Sequence, residues 1–236
     1  MDVAGALSEE CYLAGMRYGK VDFEVAGDWA TRSAADDGPI YMVNFMKYRA
    51  VADYDGVKGA SGDEARVTGR EADDLYAPFE VLKKIGAEIA YVGDVVNGGS
   101  PGEWDRMAIV RYASRLSFIE MQNRTDFKEK HVHKEAGMDY TICLGAVPNG
   151  AHVDIARRDF VTFDIRSTPR DLASDGDTAR LSVEGTVLGD GRRWADLTMT
   201  WSSDQSAATP SIERGGDRMV VVTRASIDRM GKLLSE

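Results

Sequence analysis

The amino-acid sequence predicts an α+β protein, and three observations carry that prediction. Runs rich in β-branched and aromatic residues fall at about 39–48, 88–96, 104–112 and 140–147. Segments with helical apolar spacing separate the first run from the second and the third from the fourth. A Gly-rich loop, Asn97-Gly-Gly-Ser-Pro-Gly102, joins the middle two runs as a hairpin. The order β-α-β-β-α-β is the ferredoxin-like arrangement: an open antiparallel sheet, helices on one face, and an apolar second face that something must cover.

The first strand is Pro39-Ile-Tyr-Met-Val-Asn-Phe-Met-Lys-Tyr-Arg49, with Pro39 at its edge and charge closing it. Side chains alternate across a strand, so Ile40, Met42, Asn44, Met46 and Tyr48 share one face. Ser61 and Glu64 have the spacing of a capping box, which opens a helix toward Gly86. Pro78 breaks that helix near Tyr76–Ala77, and Phe79, Leu82 and Ile85 form the buried face of its second piece. Ser114 and Thr125 each cap a helix after the third strand, and Gly137 ends the second of them. Residues 1–37 are a leader, with a short helix over Ser8–Met16, an extended piece over Tyr18–Val25 and a turn at Asp36-Asp37-Gly38.

Residues 38–150 are thus the α+β domain, and 151–236 a strand-rich region. Its strands lie at about 159–166, 179–188, 193–201 and 218–224, with a tight hairpin at Gly189-Asp-Gly191 and a helix over Ser226–Leu234. Tyr91-Val-Gly-Asp-Val-Val followed by Trp104-Asp105 is echoed by Val183-Glu-Gly-Thr-Val187 followed by Trp194-Ala-Asp196. The region therefore reads either as a helix-poor second half or as an unrelated extension.

Thirty-nine acidic against 29 basic residues give a net charge of −10, which argues against nucleic acid or an anionic membrane as the main partner. Cys11 and Cys143 make no disulfide framework. Neither a signal peptide nor a transmembrane run is evident, so the expected location is cytoplasmic. No GxSxG, CxxC or HExxH motif occurs, and no cofactor or metal is expected.

Ile40-Tyr-Met-Val-Asn-Phe-Met-Lys-Tyr48, Val110-Arg-Tyr112 with Ser114-Arg-Leu-Ser-Phe-Ile-Glu-Met121, and Glu135-Ala-Gly-Met138, in this order and spacing, resemble domain-of-unknown-function family 1330 of the dimeric α+β barrel superfamily. The resemblance covers about 39–147. It implies that open sheet faces meet to form an α+β barrel, the partner half being a second chain in a dimer or the strand-rich C-terminal region. What carries over is architecture, although cofactor-independent monooxygenases, isomerases and haem-dependent enzymes are among the superfamily's members; the expectation is that the barrel binds a small, largely apolar organic molecule and acts on it as a monooxygenase or isomerase. A filled barrel acting as a non-catalytic binding or interaction module is the alternative.

Four residues are candidates to contact such a ligand. Asn44, with Met42 beside it, either lines the barrel cavity or satisfies neighbouring backbone. Arg111, on the face of Met107 and Ile109, is either an anion anchor or an ion-pair partner at the strand's end. Tyr91 lines a pocket or packs the core. The candidate acid–base residue is His133. His131 projects about 200° away from it on a helix, so the two cannot chelate one metal.

Overall fold

Eight antiparallel strands of one chain close into a barrel in the computed structural model, which describes residues 16–62, 64, 66–97, 103–150, 155–170, 176–204 and 216–235. The chain enters through β1 (Lys20–Val21) and α1 (Phe23–Thr31), whose N-cap Asp22 accepts hydrogen bonds from the backbone N–H groups of Glu24 and Val25. Then come β2 (Ile40–Tyr48), α2 (Gly69–Tyr76), α3 (Phe79–Lys84), β3 (Glu88–Asn97) and β4 (Arg106–Tyr112). The helices α4 (Arg115–Asn123) and α5 (Thr125–Gly137) lead to β5 (Met138–Pro148). Strands β6 (Phe160–Arg166), β7 (Thr178–Gly189), β8 (Asp196–Ser202) and β9 (Arg218–Asp228) follow with no helix among the described residues between them, and α6 (Met230–Leu234) comes last.

Around the ring the order is β7-β5-β2-β4-β3-β9-β6-β8, with β8 pairing back onto the first half of β7 and the two-residue β1 onto its end. Each run of four strands has the same spatial order of fourth, first, third, second: β5-β2-β4-β3 and then β9-β6-β8-β7.

This overturns the expected open-sheet, ferredoxin-like α+β unit. The two edges that such a unit would leave unpaired belong to β3 and β5, and here β9 and β7 of the same chain occupy them. Among the described residues, both edges of this run are thus paired within the chain, which satisfies the backbone groups that an open edge exposes. The result is a closed antiparallel barrel with α1 to α5 gathered on one side and α6 packed against the interior core.

The barrel interior is filled by side chains. Tyr41, Val43 and Phe45 of β2 face Phe163 and Ile165 of β6 and Leu197 and Met199 of β8, all 2% exposed or less. Edge-on ring contacts of Phe163 with Tyr91 and Phe45 join the two runs of strands across this core. The opposite face of β2, with Ile40, Met42 and Met46, packs under the helices in a second core. That layer is close-fitting where α2 crosses the start of β5: Gly69 and Gly137 meet there, and a Cβ on either would collide with the other's carbonyl oxygen.

Several local expectations shift. Ser61 and Glu64 do bond to each other, but no helix starts there; the capping box that opens α2 is Thr68 with Glu71. The break at Ala77–Pro78 holds, yet Phe79 is 53% exposed while Val81 and Leu82 form the buried side of α3. Gly189-Asp-Gly191 is no tight hairpin, because β8 leaves β7 at Ser182↔Asp196 and the rest of β7 pairs with β5. The C-terminal helix is shorter than expected, since β9 runs to Asp228. The helix expected over Ser8–Met16 and the loop 98–102 lie outside the described residues. Among those described, no helix is long and apolar enough to cross a membrane.

Candidate functional site

The helices do not lie flat on the barrel. Between them and the outer face of β2, β4 and β5 is a cavity of about 390 Å³, within the size range of small-molecule pockets. Met42 and Asn44 of β2, Val110 of β4 and Cys143 of β5 form its floor. Phe118 and Gln122 of α4 and Phe127 and His131 of α5 form its roof, and the α2–α3 junction, Tyr76 to Phe79, forms one wall. The lining is mostly apolar, so the few polar groups in it decide what the cavity can hold.

His131 is the buried histidine of that lining. The Tyr18 hydroxyl lies 2.8 Å from its Nε2, and the rings of Tyr76 and Phe127 pack against it. Burial first, and the Lys134 charge second, push its pKa down to about 3, so the imidazole is neutral at pH 7. Cys143 is equally enclosed, and burial pushes its thiol up to about 12. Neither group is activated for chemistry near neutral pH.

Gln122 is 5% exposed, and its Oε1 is enclosed without a hydrogen-bond partner. The amide makes no side-chain hydrogen bond to any described residue. Asn44 makes one bond of this kind, from Nδ2 to its own strand's Met42 carbonyl at 3.2 Å.

Charge is confined to one end. Arg106 donates to Asp94 at 3.1 Å and to Asp73 and Asp74 at 3.0 Å each, and the Tyr48 hydroxyl donates to Asp73 at 2.6 Å. Burial works against the Arg106 charge, but the surrounding carboxylates and Tyr48 outweigh it and hold its pKa above the ordinary value. The guanidinium is held through Nε and Nη1 by acids of α2 and β3. Lys134 sits with Nζ 5.2 Å above the Tyr76 ring.

No family model matches the chain, and no curated protein matches it. Among solved structures it is similar to the RPA0582 protein. A methylated form shares 26% identity at a TM-score of 0.44, covering 56% of this chain and 96% of that one. A second structure, described as a protein of unknown function from Rhodopseudomonas palustris, shares 24% identity at a TM-score of 0.45, covering 57% and 98%. At these scores the likeness assigns neither fold nor activity.

The residues expected to form one barrel-lined site are divided by the sheet. Met42 and Asn44 do line a cavity, but on the helix-covered face rather than inside the barrel. Tyr91 and Arg111 lie on the interior face. Tyr91 is fully buried, 2.5 Å from the Thr223 hydroxyl and packed on Phe163. Arg111, opposite Tyr41 at the strand's end, pairs with Glu88 at 3.7 Å. A shared cavity for Asn44 and Arg111 is therefore ruled out by alternation along paired strands: Asn44 is opposite Ala108, and Arg111 is three residues further along β4.

His133 lies outside the cavity lining. It points away from the cavity, with Nδ1 2.8 Å from the Tyr54 hydroxyl on the loop that follows β2, and burial then Lys130 lower its pKa. Its neighbour His131 holds the inward position. Gln122 and Tyr18 were not expected at a site. Gln122 carried a readable signal, because it follows Phe118 and Ile119 by four and three residues and so shares the helix face they bury. Tyr18 lies in the leader, whose docking under α5 depends on tertiary contacts.

Proposed function

We propose that this protein binds a small, largely apolar organic molecule in the cavity between its helical layer and the outer face of the barrel. The observation that carries this reading is the cavity's combination of size and lining. A space of about 390 Å³ is walled by Met, Phe, Val and Tyr side chains and holds a buried Gln122 amide with no protein partner. Binding is better supported than catalysis. A neutral imidazole with its pKa near 3 is a weak base, and a thiol near 12 is a poor nucleophile. The histidine that could ligate a haem here is His131, and its Nε2 already faces the Tyr18 hydroxyl.

The test is a filled cavity. Ala108 lines the floor directly opposite Asn44, so Ala108→Phe places a ring in the space. Titration with a fluorescent apolar probe such as anilinonaphthalene should show saturable binding to the wild-type chain. The A108F chain should lose that binding while keeping its circular dichroism spectrum. Equal binding to both chains would refute the reading.

A further inference from the structure

The cavity's polar groups specify more than an apolar guest. Deepening the proposed binding reading, and resting on it, we infer that the ligand is an uncharged molecule whose apolar body carries a hydroxyl group, of the alkylphenol class. The Gln122 carboxamide is 5% exposed, and no described residue hydrogen-bonds to it. Buried amides in folded proteins are nearly always bonded, so this one is kept for a partner that the chain does not supply. Asn44, part-buried on the cavity floor, has Nδ2 on the Met42 carbonyl at 3.2 Å and adds a second amide to the lining.

Each carboxamide presents an acceptor and a donor together. A hydroxyl is the smallest group that gives and takes a hydrogen bond at once, so it matches a carboxamide's acceptor and donor. A carboxylate only accepts, and would set its charge against the two amide oxygens. Of the cations in the lining, Arg106 is already held by Asp73, Asp74 and Asp94, and Lys134 is seated on the Tyr76 ring, Nζ 5.2 Å from its centroid. A cationic ligand meets the converse difficulty, since Asp73 and Asp74 are committed to Arg106. The aromatic half of the ligand follows from the Phe118, Phe127 and Tyr76 rings that wall the space.

The test uses the full chain and three probes with one apolar body: para-butylphenol, para-butylbenzoate and butylbenzene, titrated by calorimetry at pH 7. The phenol should bind roughly tenfold tighter than either of the others. Gln122→Leu should erase that preference, and Asn44→Ala should lower phenol affinity in the same direction. Equal affinity for the three probes, unchanged in Gln122→Leu, would overturn the hydroxyl assignment and leave the binding reading standing. Tightest binding of the benzoate, lost in Lys134→Met, would also overturn it, by moving the anchor to a cation. If none of the three binds to the wild-type chain, both readings fall together.

Discussion

The two runs of four strands share one spatial order around the barrel, yet they meet their surroundings differently. The first strand of the first run, β2, is buried on both faces, Tyr41, Val43 and Phe45 inside the barrel and Ile40, Met42 and Met46 under the helices. The first strand of the second run, β6, buries Val161, Phe163 and Ile165 and turns Thr162, Asp164 and Arg166 outward. Nothing helical lies between the described parts of the strands in the second run. The difference shows that the barrel is a closed scaffold and that the cavity belongs to the layer laid on one half of it. Stability should therefore depend most on the interior shared by both halves, and ligand recognition on the layer alone.

The most severe disruption should come from that shared interior. Phe163 is fully buried and touches Tyr91 and Phe45, so it joins the two halves. Phe163→Ala should cost about 4 kcal/mol in urea unfolding, as large-to-small changes in packed cores do. Phe79→Ala, at an exposed ring of the layer, should change stability by less than about 0.5 kcal/mol. Similar costs for the two would mean that the halves are not fused through their interior.

The next largest effect should appear where the layer is tied to the second half. Arg115, at the start of α4, is 4% exposed; it donates from Nε to Glu184 of β7 at 2.7 Å and from Nη1 to Asp37 at 3.0 Å. Burial opposes its charge, but the two carboxylates outweigh this and raise its pKa. Arg115→Ala leaves the buried Asp37 without its cation and Glu184 with Arg32 alone, at 3.3 Å, and should cost about 3 kcal/mol. The urea midpoint should fall with little change in slope.

His131 supplies a pH signature of the layer. Its folded pKa, near 3, lies below the ordinary value of 6.5. Above pH 6.5 neither folded nor unfolded chain protonates it. Between 6.5 and 3 the unfolded chain takes up a proton that the folded chain refuses, so stability falls as pH falls. From pH 7 to pH 5 this one group should account for a loss of roughly 2 kcal/mol. His131→Gln should flatten that part of the profile. A profile unchanged by the substitution would show that His131 titrates normally and is not enclosed.

Much of this architecture could be read from residue patterns, and the parts that could not have physical reasons. The strands of the second run were legible because one face of β6 and β8 alternates with polar residues, which fixes both period and orientation. In β2 both faces are apolar, so alternation could locate the strand but not say which face met the helices. That ambiguity put Asn44 inside the barrel rather than beneath the layer. Which partner closes the barrel stayed open for a different reason: β3 finds β9, and β5 finds β7, through pairings remote in sequence, and no local pattern encodes them. At the site, the two-residue spacing of His131 and His133 correctly separated them on a helix but did not say which turned inward. The apolar companions of Gln122 did carry such a signal.

The smallest effect should come from the bare half, and it completes the contrast with Arg115. Arg218 of β9 donates to Asp164 at 3.0 and 3.1 Å, a geometry on paper better than that of many buried pairs. Its side chain is, however, 44% exposed, and Asp164 is also held by Arg170 at 2.9 Å. Removing Arg218 therefore leaves the carboxylate with a cation and lets water replace the rest. Arg218→Ala should cost no more than about 0.5 kcal/mol, and less still in high salt. Measured in the same urea series, it should fall several-fold short of Arg115→Ala. A cost above about 1.5 kcal/mol would mean that the outer face of the second run holds the barrel together as firmly as the layer does, and the division between a structural barrel and a recognition layer would fail.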